Sequence, residues 1–238
     1  MIRVTVWNEF RHEKESARVR EMHPNGLHET IAQILREDPE IVVSTATLDD
    51  PECGLTEEVL QDTDVLFWWG HMVHRQVPDE VVDRVCRHVH CGMGFVALHS
   101  SHFSKVFKKL MGTPCNLKWH DDARERIFVV NPAHPIAQGI PDHFEIPSEE
   151  CYCEPFCIPE PDETVFMGWY NTGEVFRSGC CFYRGNGRIF YFQPGHETDA
   201  SYTVPEVQQI YRNAAHWAAP VHRVPELTCP NAPALEKV

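Results

Sequence analysis

Short apolar runs alternate with amphipathic stretches through the first hundred residues, and this alternation limits the chain more than any other feature. Residues 2–7 (IRVTVW), 41–48 (IVVSTATL), 64–69 (DVLFWW) and 94–98 (GFVAL) have the length and continuity of strands buried on both faces. Three helical stretches separate them. One opens at Asn25-Gly26 with Leu27, Ile31, Ile34 and Leu35 on a single face, and a short one is capped by Thr56 with Glu57 and Glu58 in its first turn. The third starts at Pro78 and shows Val81, Val82, Val85 and Val89 on one side. Strands spaced by such helices call for a parallel sheet covered on both faces. The expected fold is therefore α/β, doubly wound and flavodoxin-like, with mostly parallel strands.

Beyond residue 110 the pattern turns β-rich. Residues 126–130, 164–169, 179–183 and 188–192 read as strands, with a tight turn at Gly185-Asn186-Gly187 between the last two. The acidic segment 145–157 reads as an irregular loop, and residues 204–218 as a closing helix. At 238 residues the chain fits one domain over residues 1–220, followed by an extended tail at 221–238. The polar stretch from Asn8 to Pro24 is long for an α/β connection, which marks it as a flap over the strand ends.

Composition removes several functions. With 21 basic against 35 acidic residues the net charge is -14, so nucleic acid and anionic membranes are not expected as partners. No apolar run reaches a membrane span, and the start MIRVTVWNEF lacks a leader pattern; a soluble, cytoplasmic protein is expected. In that setting the 10 cysteines are reduced thiols serving as small core residues. The spacing Cys151-x-Cys153-x3-Cys157 and the pair Cys180-Cys181 match no zinc knuckle. Exposed aromatics could support a homo-oligomer.

Catalytic residues in such sheets gather at the carboxyl ends of the strands. Those ends carry Asn8, Glu9 and His12, then His71 and His74, then His99, Ser100 and His102, and finally Gln193, His196 and Glu197. Imidazoles from separate connections meeting at one rim permit two chemistries. Neutral histidines with a carboxylate can act as general acid and base. Alternatively His71, His74, His99 and His196 can ligate a divalent metal, zinc above all. A serine nucleophile is disfavoured, because ALHSSHF lacks the glycines of a nucleophile elbow. Glu150 is a further carboxylate candidate. Trp69 at a strand end is a stacking surface for a sugar, and Trp119 reads as core. His134-Pro135 reads as a turn feature, and His88 and His90 as surface or packing residues.

GFVALHSSHF, followed in order by NPAHPIAQGI, EECY and GRIFYFQPGHE, resembles the ThuA family, the trehalose-utilisation proteins, over residues 2–220. The resemblance implies a fold like that of class I glutamine amidotransferases, with His99 standing where their cysteine nucleophile would be, so glutaminase chemistry is not implied. It points to Leu98-His99, Glu150 ahead of Tyr152, and Gly195-His196 as the polar residues of the site. It also implies a small carbohydrate substrate, trehalose or a related disaccharide, including 3-keto sugars. On this reading His99, Glu150, His196 and Glu197 are catalytic, and Glu9, His12, Trp69, Ser100 and His102 surround the substrate. No nucleotide cofactor is expected. The alternative is a non-catalytic module that binds a sugar or protein partner around a structural metal.

Overall fold

The computed structural model describes residues 1–229 and 231–236. One nine-stranded sheet runs through it, and its two halves obey different rules. β1 (Ile2–Asn8), β2 (Ile41–Thr47), β3 (Val65–Trp69), β4 (Gly94–Leu98) and β9 (Gly187–Phe192) form a parallel half, ordered β2-β1-β3-β4-β9. β8 (Val175–Arg184), β7 (Glu163–Tyr170), β5 (Lys118–Val129) and β6 (His143–Cys153) continue it with antiparallel pairings. The expectation of a mostly parallel sheet is corrected to a mixed one. Parallel neighbours need helical crossovers, and from β5 to β9 the chain has turns, bulges and one short 3-10 turn in place of α-helices, so these strands return antiparallel.

In the parallel half, alternate residues face opposite layers. Leu66 and Trp68 point into the core under α5 (Asp79–His90) and α6 (Lys105–Met111), where Trp7 and Trp68 stack 3.9 Å apart. Phe67 and Trp69 point the other way, toward α3 (Leu27–Arg36) and α7 (Pro205–Ala218). Both faces are thus dry, which is why these strands read as unbroken apolar runs. The helix starts follow local chemistry. Thr56 Oγ1 accepts from Val59 N at the head of α4 (Glu57–Gln61), and Ser104 Oγ accepts from Phe107 N at the head of α6.

One expectation is corrected here and three gain detail. The segment expected as a polar flap contains two short helices, α1 (His12–Glu15) and α2 (Ala17–Met22). Buried Glu13 fixes them by accepting from Asn8 Nδ2 and from Leu27 N, the first amide of α3. The acidic segment expected as a loop contains the strand β6, whose far end buries Glu149 and Glu150. His88, expected at the surface or in packing, takes the packing role: it is buried and pairs with Glu57. The tail begins by docking: Arg223 donates to the carbonyls of Leu60 and Thr63.

Glu125 on β5 is buried with Ser178 Oγ donating to its Oε1 and no hydrogen bond at Oε2. Burial raises this carboxyl from 4.5 to about 8. Between those values the native chain holds a proton that the unfolded chain has lost, so stability falls as pH rises through that window. Glu125→Gln, which keeps the shape without the charge, is expected to flatten the decline in melting temperature between pH 5 and pH 8. An unchanged pH profile in this variant would show that Glu125 carries no such penalty.

Candidate functional site

The carboxyl ends of β1, β3, β4 and β9 meet at one rim, and the turn after β4 is its centre. His99 sits there with φ 50°, a left-handed backbone that costs a non-glycine residue about 1–3 kcal/mol. Its ring is fully buried and stacks on Tyr152 with centroids 4.8 Å apart. His99 Nδ1 donates to the Gln193 carbonyl at 2.9 Å, which directs Nε2 toward Glu150 Oε2 at 3.0 Å and the Tyr152 hydroxyl at 3.3 Å. The Glu150 contact has the length of an ion pair but not the alignment of a hydrogen bond, and Glu150 Oε2 makes none. Burial would lower the His99 pKa, yet Glu150 outweighs it and the net direction is up.

Two trios of donors lie side by side. His99, Glu150 and His196 bring one ligand atom each within 4.8 Å of one another, and so do His12, His71 and Glu197. Glu197 joins them: its carboxylate lies 3.2 Å from His12 Nε2, 3.3 Å from His71 Nδ1 and 3.4 Å from His196 Nε2. Burial would raise the Glu197 carboxyl, but these imidazoles take it down to about 2. His196 is pushed up to about 9, because Asp199, Glu197, Glu150 and Glu149 overcome its desolvation.

Glu149 holds the loop that carries His196. Its carboxylate is fully buried and accepts from Gly195 N at 2.9 Å, His196 N at 3.2 Å and Ser201 Oγ at 2.5 Å. Burial raises its pKa even so. Glu9 does similar work on the other side. It is buried and accepts from Met72 N and Val73 N, the loop that carries His71. The expectation that Glu9 touches substrate is therefore corrected to a positioning role.

A cavity of about 580 Å³ opens over the rim, lined among others by His71, His74, His102, Glu150, Tyr152 and His196. That volume lies within the range of small-molecule sites. Ser100 also lines it, but its hydroxyl donates to the Gly70 carbonyl, while Ser101 Oγ donates to Trp68 O and accepts from Gly70 N. Both serines fasten the turn after β3. His102 is locked to the Cys115 carbonyl through Nδ1, and burial lowers its pKa to about 3, so it is neutral. Burial likewise lowers His74 to about 4.

The expected set His71, His74, His99 and His196 is not one cluster. His71 groups with His12 and Glu197, and His99 with Glu150 and His196, while His74 joins neither. The two tryptophans exchange roles as well. Trp69 is fully buried with Nε1 donating to Gly195 O, so it offers no face to a sugar. Trp119, expected in the core, is 62% exposed and lines the cavity. Sequence reasoning also missed Asp199 as the partner of His196 Nδ1, at 3.4 Å. Its position three residues after His196 was the available signal.

No helix among the described residues is long and apolar enough to cross a membrane. Solved structures share the fold at low identity. A ThuA-like protein from Parabacteroides merdae superposes with a TM-score of 0.69 at 15% identity, covering 94% of this chain and 93% of that one. One from Bacteroides uniformis gives 0.67 at 16% identity, covering 91% of each chain. A cytoplasmic protein from Salmonella typhimurium gives 0.61 at 11%, covering 91% of this chain and 99% of that one. No curated protein matches the chain. With the ordered motifs around His99, Glu150 and His196 on one rim, and the family model for trehalose utilisation matching residues 3–218, the chain belongs to the ThuA family.

Proposed function

We propose that this protein is a cytoplasmic carbohydrate-processing enzyme acting on a disaccharide oxidised at one carbon, a 3-keto sugar, through imidazole and carboxylate chemistry assisted by a divalent cation. The observation that carries this reading is the pairing of two adjacent His/Glu trios with an exposed indole over one cavity. Family membership supports a sugar-related role. Trp119 offers the apolar face on which a sugar's C–H side rests, and Asn116 and Asp121 line the same cavity with groups that hydrogen-bond hydroxyls.

The donor set fits a metal. With Nδ1–H held by the Gln193 carbonyl, His99 presents the Nε2 lone pair once an incoming cation displaces its proton, and Glu150 Oε2 has no hydrogen bond to give up. His99, Glu150 and His196 would hold the ion, zinc matching two imidazoles and a carboxylate best. When bound, such a cation supplies charge stabilisation to a carbonyl oxygen. The neighbouring trio moves the proton. His71, which lines the cavity with its Nδ1 3.3 Å from Glu197, is assigned as the general base for the C–H that the keto group acidifies. His12 supports Glu197 from the other side.

The test is a screen of oxidised and unoxidised disaccharides against the metal-loaded chain. Turnover of a keto-disaccharide is expected, and a module that holds the sugar and returns it unchanged would sink the reading. Trp119→Ala, at an exposed position, is expected to weaken binding about tenfold with no change in melting temperature.

A further inference from the structure

We propose a second metal site, where β5 and β6 meet the turn between β7 and β8, in which His120 Nε2, Cys151 Sγ and the Glu174 carboxylate ligate a thiophilic divalent cation of the zinc type. This site is separate from the His99 trio and does not rest on the sugar reading. The strand register sets His120 directly across from Cys151, and Glu174 reaches the same point from the turn closed by the bond from Tyr170 N to Glu174 O. The three donor atoms lie within 4.8 Å of one another.

Each donor is prepared for a ligand and poorly used without one. His120 Nδ1 faces the Asp121 carbonyl at 3.0 Å, which fixes the proton there and leaves Nε2 as an acceptor with a long contact to the Thr172 hydroxyl, 3.5 Å, that a metal bond would replace. Nε2 lies 3.7 Å from Glu174 Oε2, too long for a hydrogen bond. It is close to the spacing of two ligands on a tetrahedral zinc, roughly 3.3–3.7 Å for metal bonds of ~2.0–2.3 Å. Glu174 Oε2 is a buried atom with no hydrogen-bond partner. The buried Cys151 thiol donates only a long hydrogen bond, to the Tyr152 carbonyl at 3.8 Å, and lies beside Cys153. The side chains of His120 and Glu174 are 39% and 33% exposed, which gives the ion an entry path and a water for its fourth position.

Sequence spacing conceals the site because two of its three ligands come from a different strand and a distant turn. The placement has a use. His120 stands between Trp119 and Asp121, which line the large cavity, so an ion here would tie that wall to β6 and to the turn before β8.

Cobalt(II) titration of the reduced full-length chain tests the proposal, because a thiolate ligand produces a charge-transfer band in the near ultraviolet that imidazole and carboxylate ligands do not. The band is expected in the native chain and in His99→Ala, and is expected to disappear in Cys151→Ser and in His120→Ala. Zinc affinity read by competition should fall by about two orders of magnitude in His120→Ala. Since His120 is exposed, that variant tests the site even if Cys151→Ser does not fold. Absence of the band in the native chain, or its persistence in His120→Ala as from the exposed thiols Cys157 and Cys229, overturns the proposal.

Discussion

His99→Ala is expected to reduce turnover of a keto-disaccharide by about 10²- to 10⁴-fold while leaving the chain folded. The ring does three things at once: it stacks on Tyr152, donates to Gln193 O, and presents Nε2 beside Glu150. Alanine removes all three without altering the backbone class, since both residues meet the same penalty at φ 50°. His99→Asn is the informative companion, because asparagine tolerates the left-handed region better and lacks the imidazole. It should match or exceed the native melting temperature more nearly than alanine does, with activity equally lost. Turnover within a few-fold of native in both variants would reduce His99 to a packing residue.

Glu149→Ala should have the largest effect on stability, about 3–5 kcal/mol in urea denaturation. The carboxylate satisfies Gly195 N, His196 N and Ser201 Oγ in a site sealed from water, and its own removal leaves these donors unpaired. Glu149→Gln should cost less than alanine, since the amide oxygen still accepts on one side, but more than nothing, since its NH₂ faces donors and cannot accept from them. Hydrogen exchange in the 195–201 loop should accelerate more than in α5. A loss below about 1 kcal/mol, with the loop as protected as before, would mean that water replaces the carboxylate without difficulty.

The parallel half of the sheet was legible because strands buried on both faces leave continuous apolar runs, and the polar residues following them had to lie at the ends. His99 after β4 and His196 and Glu197 after β9 lie beside one another at that rim. β6 was not legible. Its charged stretch holds Glu149 and Glu150 inside the protein, and the donors that make this tolerable come from Gly195 to Ser201, far along the chain. No local pattern announces a carboxylate that long-range amides will satisfy. The tryptophans were exchanged for a related reason. Trp69 ends an apolar run and stays buried because α7 covers its face of the sheet, whereas Trp119 lies on β5 and turns toward the cavity. Side-chain period tells which residues share a face, but not what covers it. Glu9 shows the remaining gap, since a rim carboxylate serves equally well to grip a backbone loop as to touch a ligand.

The place of β9 governs how the chain matures on the ribosome. β4 lies between β3 and β9, so one of its edges remains open while nearly ninety residues are still to be synthesised. The antiparallel strands emerge during that interval with nothing to join them to the parallel half, and Gln193, His196 and Glu197 follow only after β9. Nascent chains therefore carry an exposed apolar seam until β9 emerges and complete the pocket only after it, an interval in which they are open to aggregation.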